Sequence, residues 1–262
     1  MNDLNIKWKD FYKNVFALVV PMALQNLINV GVTAADVVML GKVSEKVLSG
    51  ASLAGQIQYI MVLFLFGLTS GATVLTAQYW GKGDKTAIEK ILALGIRSAV
   101  IITAIFTIAA FTIPASLMRI FTNDQQVIAE GVKYLRIVAC SYIIMGITNV
   151  YLYVMRSIER VIVATVVYLV SFLCNVVFNA IFYFLDYLDF QLFGIRGAAI
   201  ATLIARIMEL VLVCGYAKIY NKDVKFRVHY FLHQDKLLVR DFLVYSLPVV
   251  LNEVMWGLGT SA

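Results

Sequence analysis

The chain has 262 residues, of which 61% are hydrophobic and 15% charged, with a formal net charge of +6 and a mean hydropathy of +0.83. Soluble domains carry about 45–50% apolar and about 25% charged residues, so a water-soluble domain is excluded and a multi-pass membrane protein is expected. The basic excess belongs to membrane-flanking loops, and no nucleic-acid partner is expected.

Three prolines against 16 Phe, 14 Tyr and 9 Met favour long helices over the short alternating strands of a barrel. The opening MNDLNIKWKDFYKN mixes charges, and the apolar run after it is too long for the h-region of a signal peptide. With about 20 apolar residues per span, helices are expected over 12–39, within 47–81, and over 90–118, 128–155, 161–185 and 195–220. A seventh begins near 240 and stops at Ala262.

On the first helix Gln25, Asn29, Thr33 and Asp36 fall at i, i+4, i+8 and i+11, a polar stripe on one side of a membrane-length segment. A carboxylate at mid-membrane costs about 2.5–3.5 kcal/mol or more unless it faces a cavity or a partner. Asp36 is either hydrated at the end of its helix or lines a cavity, where it could bind Na⁺ or carry H⁺. Gln25, Asn29 and Thr33 are expected to line the same cavity. The second apolar run, Val47–Gly81, exceeds one span, so part of it should be interfacial or covered by protein; Gly67, Gly71 and QYWGKGD are expected to close it.

Cys140, Cys174 and Cys214 each fall in an apolar segment and are read as small core residues, not as a disulfide or metal set. The fifth helix repeats the striped design with Ser171, Asn175, Asn179 and Tyr183, whose carboxamides could ligate a small cation or bond to a neighbouring helix. In the sixth, GIRGAAIAT (194–202) suits close packing, while Arg206 and Glu209 are spaced to form an ion pair.

Near the C-terminus, Pro248, Leu251, Thr260 and Ala262 match Pro21, Leu24, Thr33 and Ala35 at a constant offset, and Glu253 stands where Asn26 stands. Six spans separate the copies, so both enter the membrane in the same direction, as in parallel-repeat transporters. Pro21 and Pro248 are expected to kink their helices. Glu253, deep in the seventh helix, should face a cavity. Ending inside an apolar helix would leave carbonyls unsatisfied, so the chain is expected to be truncated or split and to need a C-terminal lobe or a second copy.

Loop charges set the topology. Alternate segments, beginning with the N-terminus, hold fourteen basic residues, whereas the opposite set holds five: Lys42, Lys46, Arg119, Lys133 and Arg196. The N-terminus is therefore expected in the cytoplasm and the protein in the plasma membrane. The organisation expected is a six-helix lobe over 1–220, a basic amphipathic connector over 221–240 and the start of a second lobe over 241–262. His229 and His233 sit in that connector and are expected to be solvated. No Walker A, HExxH, GxSxG or properly placed GxGxxG is present, so the chain is not expected to be an enzyme.

Taken together, PMALQNLINVGVTAADVVMLG (21–41), GLTSGATVLTAQYWGKGD (67–84), NVVFNAIF (175–182), GIRGAAIAT (194–202) and SLPVVLNEVMWG (246–257) resemble the multidrug and toxin extrusion (MATE) family. The resemblance implies one lobe of a twelve-helix all-α fold plus the start of helix 7, and a cation-coupled antiporter that exports amphipathic, often cationic, organic compounds. A flippase for lipid-linked saccharides and a non-transporting membrane scaffold are the alternatives. It also implies a cation site with Asp36 as ligand or proton carrier, oxygens from Asn175 and Thr202, and the carbonyl of Ala198. Glu253 matches the acid of a second site. No cofactor beyond Na⁺ or H⁺ is implied. Two departures stand out: Asn179 replaces an aspartate found in some members, and the turn RSIERV lacks their Gly and Pro.

Overall fold

The computed structural model describes residues 8–185, 194–232 and 235–261. The side chains of Asn29, Thr33, Asp36 and Thr260, and all of His233 and Ala262, lie outside the described residues. Ten helices are described: α1 (Trp8–Val43), α2 (Glu45–Gly81), α3 (Lys85–Thr112), α4 (Pro114–Arg119), α5 (Gln125–Ala139), α6 (Tyr142–Ser157), α7 (Val161–Leu185), α8 (Gly194–Ile219), α9 (Val228–Leu232) and α10 (Lys236–Ser261). Five of them (α1, α2, α3, α7 and α8) are long and apolar enough to cross a membrane, and six spans result if α5 and α6 form one bent crossing. The chain is thus an all-α polytopic membrane bundle.

Local chemistry sets the helix starts. The Ser44 hydroxyl accepts from the Val47 amide at 3.2 Å, the Asp84 carboxylate from Ala87 at 3.0 Å, and the Asp124 carboxylate from Gln126 at 2.8 Å, each satisfying an amide of a first turn. Gly83 supplies the left-handed φ of 74° between α2 and α3. At the α6–α7 turn no glycine is available, and Glu159 itself adopts φ 66°, a conformation that costs an L-residue roughly 1–2 kcal/mol.

Two expected spans are interrupted. The third ends at Thr112, and Pro114 opens the short α4, because proline suits a first turn and not a helix interior. The fourth bends by 51° between α5 and α6 with no Pro or Gly at the break. Side chains absorb it: the Ser141 hydroxyl donates to the Val138 carbonyl at 2.7 Å and Thr107 donates to Ala139 at 3.3 Å, which keeps freed carbonyls satisfied away from water.

The core lies between α2, α3, α5 and α6, where Met61, Leu65, Ile91, Leu92, Leu135 and Leu152 are fully buried. Protein therefore covers much of the long α2. Gly67 and Gly71 do not close that helix; they are where α10 presses on it. A Cβ at Gly67 would meet Val250 backbone atoms at 2.5 Å, and one at Gly71 would meet the Ser246 amide nitrogen at 2.8 Å. The cysteines correct another expectation, since Cys140 and Cys214 are exposed and Cys174 is half-buried. In a bilayer the outer surface is as apolar as the core, so an apolar segment does not show which face of it is buried.

Helix ends on the side where α1 begins are tied together by the segment after α8. Asp223 binds Lys85 at 2.8 Å and Arg160 at 3.0 Å. Glu89 accepts from the Lys225 amide at 3.0 Å and pairs with Arg227 at 2.7 Å. Asn221 donates to the Tyr151 hydroxyl at 2.9 Å. Residues 221–227 are thus docked on the bundle; among the described residues of the connector only α9 and the start of α10 are helical, and His229 is exposed.

Candidate functional site

α1 is fastened to α7 by its first stripe residue. Gln25 is buried, and its Nε2 donates to the Thr165 hydroxyl at 2.7 Å and to the Val161 carbonyl at 3.3 Å. Gln25 therefore sits in the α1–α7 seam, where α7 offers its amide nitrogen two acceptors. Pro21, one turn earlier, is contained in a continuous helix, as is Pro248 in α10. Further along α1, Leu40 is buried in a cluster with Ala51 of α2 and Ile195 and Ala198 of α8. Position 36, one turn before Leu40, is on the helical face shared by Gln25 and Leu40.

The polar stripe of α7 meets α8. Asn175 is buried and donates through Nδ2 to the Thr202 hydroxyl at 3.4 Å; Asn179, also buried, donates to Asn175 Oδ1 at 3.1 Å. Ser171 donates to the Ala205 carbonyl at 3.3 Å. Asn179 is thus buried beside Asn175 on α7, while Tyr183 at the end of the stripe is exposed. Two of the expected cation-site positions, Asn175 and Thr202, meet across the α7–α8 seam, whereas Ala198, one turn before Thr202, packs in the cluster of Leu40 and Ala51.

These donors fit a small hard cation. Asn175 Oδ1 and Thr202 Oγ1 each accept one hydrogen bond in the described network, and each oxygen has a second lone pair. Neutral carboxamide, hydroxyl and carbonyl oxygens are the ligand types that hard cations take.

Beside this seam, Arg206 and Glu209 form the ion pair that their spacing allows, Nη1 to Oε2 at 2.7 Å. Glu209 is wholly buried and accepts a second bond from Thr148 at 2.6 Å. Thr202 and Arg206 face a polar cavity of about 480 Å³. α2 contributes Gln58, Tyr59 and Thr69 to it, α6 contributes Asn149, Tyr153 and Arg156, and Asn26 reaches it from α1. A second cavity of about 510 Å³ shares Gln58, Tyr59, Val62 and Tyr134 with the first and reaches Val37 and Leu40 of α1. The two together pass from the Arg156 end to the stretch of α1 that holds Asp36.

Several lining residues escaped the sequence reading. Asn149, Tyr153 and Arg156 are spaced i, i+4, i+7, and Gln58, Val62 and Thr69 i, i+4, i+11, signals as regular as that of the Asn175 stripe. Arg156 was counted with the loops, yet it belongs to the last turn of α6 and lines the cavity. Arg97 and Arg136, by contrast, are exposed.

Glu253 belongs to a different seam. It is half-buried on α10, between Val250 and Gly257, which pack on α2. It has no hydrogen-bond or ion-pair partner among the described residues.

The MatE family model matches residues 21–181. A probable multidrug resistance protein NorM of Thermotoga maritima is 27% identical over 205 residues, covering 74% of this chain and 42% of that protein. One from Agrobacterium fabrum is 23% identical over 247 residues, covering 92% of this chain and 52% of that protein. The chain thus spans about half the length of the curated relatives it matches. A crystal structure of MATE in the bent conformation superposes with a TM-score of 0.83 at 19% identity, over 93% of this chain and 53% of that one. The family match covers more than half of the chain, and the fold agrees along nearly all of it: the chain belongs to the MATE family of transporters.

Proposed function

We propose that the protein is a cation-coupled antiporter of the plasma membrane that exports amphipathic, often cationic, organic compounds, with its N-terminus in the cytoplasm. The observation that carries this reading is the Asn175–Thr202 contact at the edge of a polar cavity. In an apolar bundle such a contact is the natural floor of an ion site. Asp36 supplies the charge, Asn175 and Thr202 supply side-chain oxygens, and Ala198 supplies a carbonyl. Either Na⁺ or H⁺ at Asp36 favours one arrangement of α1 against α7, and the cavity then loses affinity for the exported compound; this is coupling through differential affinity for two states. Glu253 on α10 belongs to a second acidic site of the whole transporter.

The test is drug efflux driven by an imposed Na⁺ or pH gradient in everted membrane vesicles, with Asp36→Asn beside the wild type at matched expression. Efflux should collapse in the variant. Full gradient-driven efflux by Asp36→Asn would remove Asp36 from the mechanism.

A further inference from the structure

The segment that joins α8 to α10 turns its acids toward the bundle and its cations away from it. Asp223 is held by Lys85 and Arg160, and Asp235 lies 3.8 Å from Lys90. Glu89 of α3 takes Arg227. Lys218, Lys222, Lys225, Lys236 and Arg240 are exposed and have no ion-pair partner among the described residues. Of the other acids described at this end of the bundle, Asp84 caps α3, while Glu159 and Asp241 form no ion pair. The outer side of this segment is therefore strongly positive.

The same segment exposes large apolar side chains: Tyr220 is 73% exposed, Val228 64% and Leu232 66%. Val228 and Leu232 are one turn apart on α9 and so share a side of it, whereas Phe231 packs against the core. α9 thus has one face on the bundle and an apolar face turned away from it. The preceding residues are docked on helix ends through Asn221 and the Lys225 amide, which puts α9 at the level where the spans leave the hydrocarbon. Apolar side chains among lysines at that level suit a segment lying in the headgroup layer, and clustered Lys and Arg beside spans attract anionic lipid. A free phosphate would meet the cations but leave Val228 and Leu232 in water, so a bilayer surface is the better match.

We propose that the connector between α8 and α10 is a docking surface for anionic phospholipid, its unpaired lysines facing lipid phosphates and the outer face of α9 lodged at the acyl boundary. Because α10 begins four residues after α9, the lipid contact also fixes where that helix starts. The inference goes beyond the export reading and does not depend on it.

The test is hydrogen exchange of the amides of residues 226–232, with the protein in nanodiscs of phosphatidylcholine alone or of phosphatidylcholine mixed with phosphatidylglycerol. Protection should be higher in the anionic discs, and high salt should remove that gain. Each lysine neutralised, Lys222→Gln and then Lys225→Gln, should lower the gain about fivefold, the factor that about 1 kcal/mol per basic residue supplies. Neither side chain pairs with the protein, so both variants should keep wild-type protection in phosphatidylcholine. Leu232→Ser should reduce the gain while leaving its salt dependence. Equal protection of the wild type in both discs would overturn the inference without any variant having to fold, and would mark a face covered by protein or left in water. A gain that survives both lysine substitutions, or one that glycerol phosphate reproduces in phosphatidylcholine discs, would also overturn it.

Discussion

The buried Thr148–Glu209–Arg206 network offers a quantitative test of how the lobe is held together. Glu209 and Thr148 are both wholly buried, and the carboxylate is held by two short contacts at 2.6 and 2.7 Å. Removing one partner of a buried ion pair leaves an uncompensated charge and costs about 3–5 kcal/mol. Here the stranded group in Glu209→Gln would be Arg206, whose side chain is 24% exposed toward the cavity. Water can reach it there, so the loss should be near the lower end, about 3 kcal/mol. Thr148→Val removes one hydrogen bond to a charged group and should cost about 1.5–3 kcal/mol. Replacing both charges with apolar residues, Arg206→Met with Glu209→Leu, should return stability to within about 1 kcal/mol of the wild type, because the desolvation of both ions disappears together. Equilibrium unfolding in mixed micelles would provide the values for a double-mutant cycle. A loss below about 1 kcal/mol for Glu209→Gln, or a double variant as unstable as the two single losses combined, would refute the reasoning.

Other outcomes follow from particular contacts. Gly67→Ala places a Cβ 2.5 Å from Val250 backbone atoms, and overpacking of about 1–3 kcal/mol should outweigh the alanine's gain in helix propensity of about 1 kcal/mol. Gly55→Ala, with open space at the same atom, should be neutral or stabilising in the same unfolding assay. Glu159→Gly relieves the left-handed turn before α7 and should raise stability by about 1 kcal/mol, read as a higher unfolding midpoint. Hydrogen bonds from Lys85 and Arg160 lower the Asp223 pKa below the usual carboxylate range. Its contribution is therefore present above about pH 4 and lost as pH falls through the lowered value. Protection of the amides of residues 221–227, taken relative to the intrinsic exchange rate at each pH, should fall in acid, and Asp223→Asn should show low protection already at neutral pH.

Some of this was legible in the sequence, and the reasons differ by element. The Asn175 stripe could be read because Ser171, Asn175, Asn179 and Tyr183 stand out at a four-residue period in an apolar helix, whereas a link between Asn175 and Thr202 was implied by the family resemblance alone. The Arg206–Glu209 pair was legible because both charges belong to one helix at bonding distance. The bend at Cys140 was not, because a serine and a threonine on another helix compensate the break instead of a proline causing it. Gly67 and Gly71 were misread as an end because a glycine pair marks close approach as readily as termination. Only the position of α10 distinguishes the two. Arg156 was assigned to a loop by its place beside Arg160; a single turn of helix separates a loop charge from a cavity wall.

The central claim is that Asp36, Asn175 and Thr202 bind one ion. The direct measurement is drug affinity of the purified protein as a function of Na⁺ and pH, in the wild type, Asp36→Asn, Thr202→Val and the double variant. One shared site predicts that each single substitution removes most of the ion dependence and that the double variant loses no more than either. If the two losses add independently, or if Asp36→Asn keeps the full dependence on both ions, the residues do not form one site.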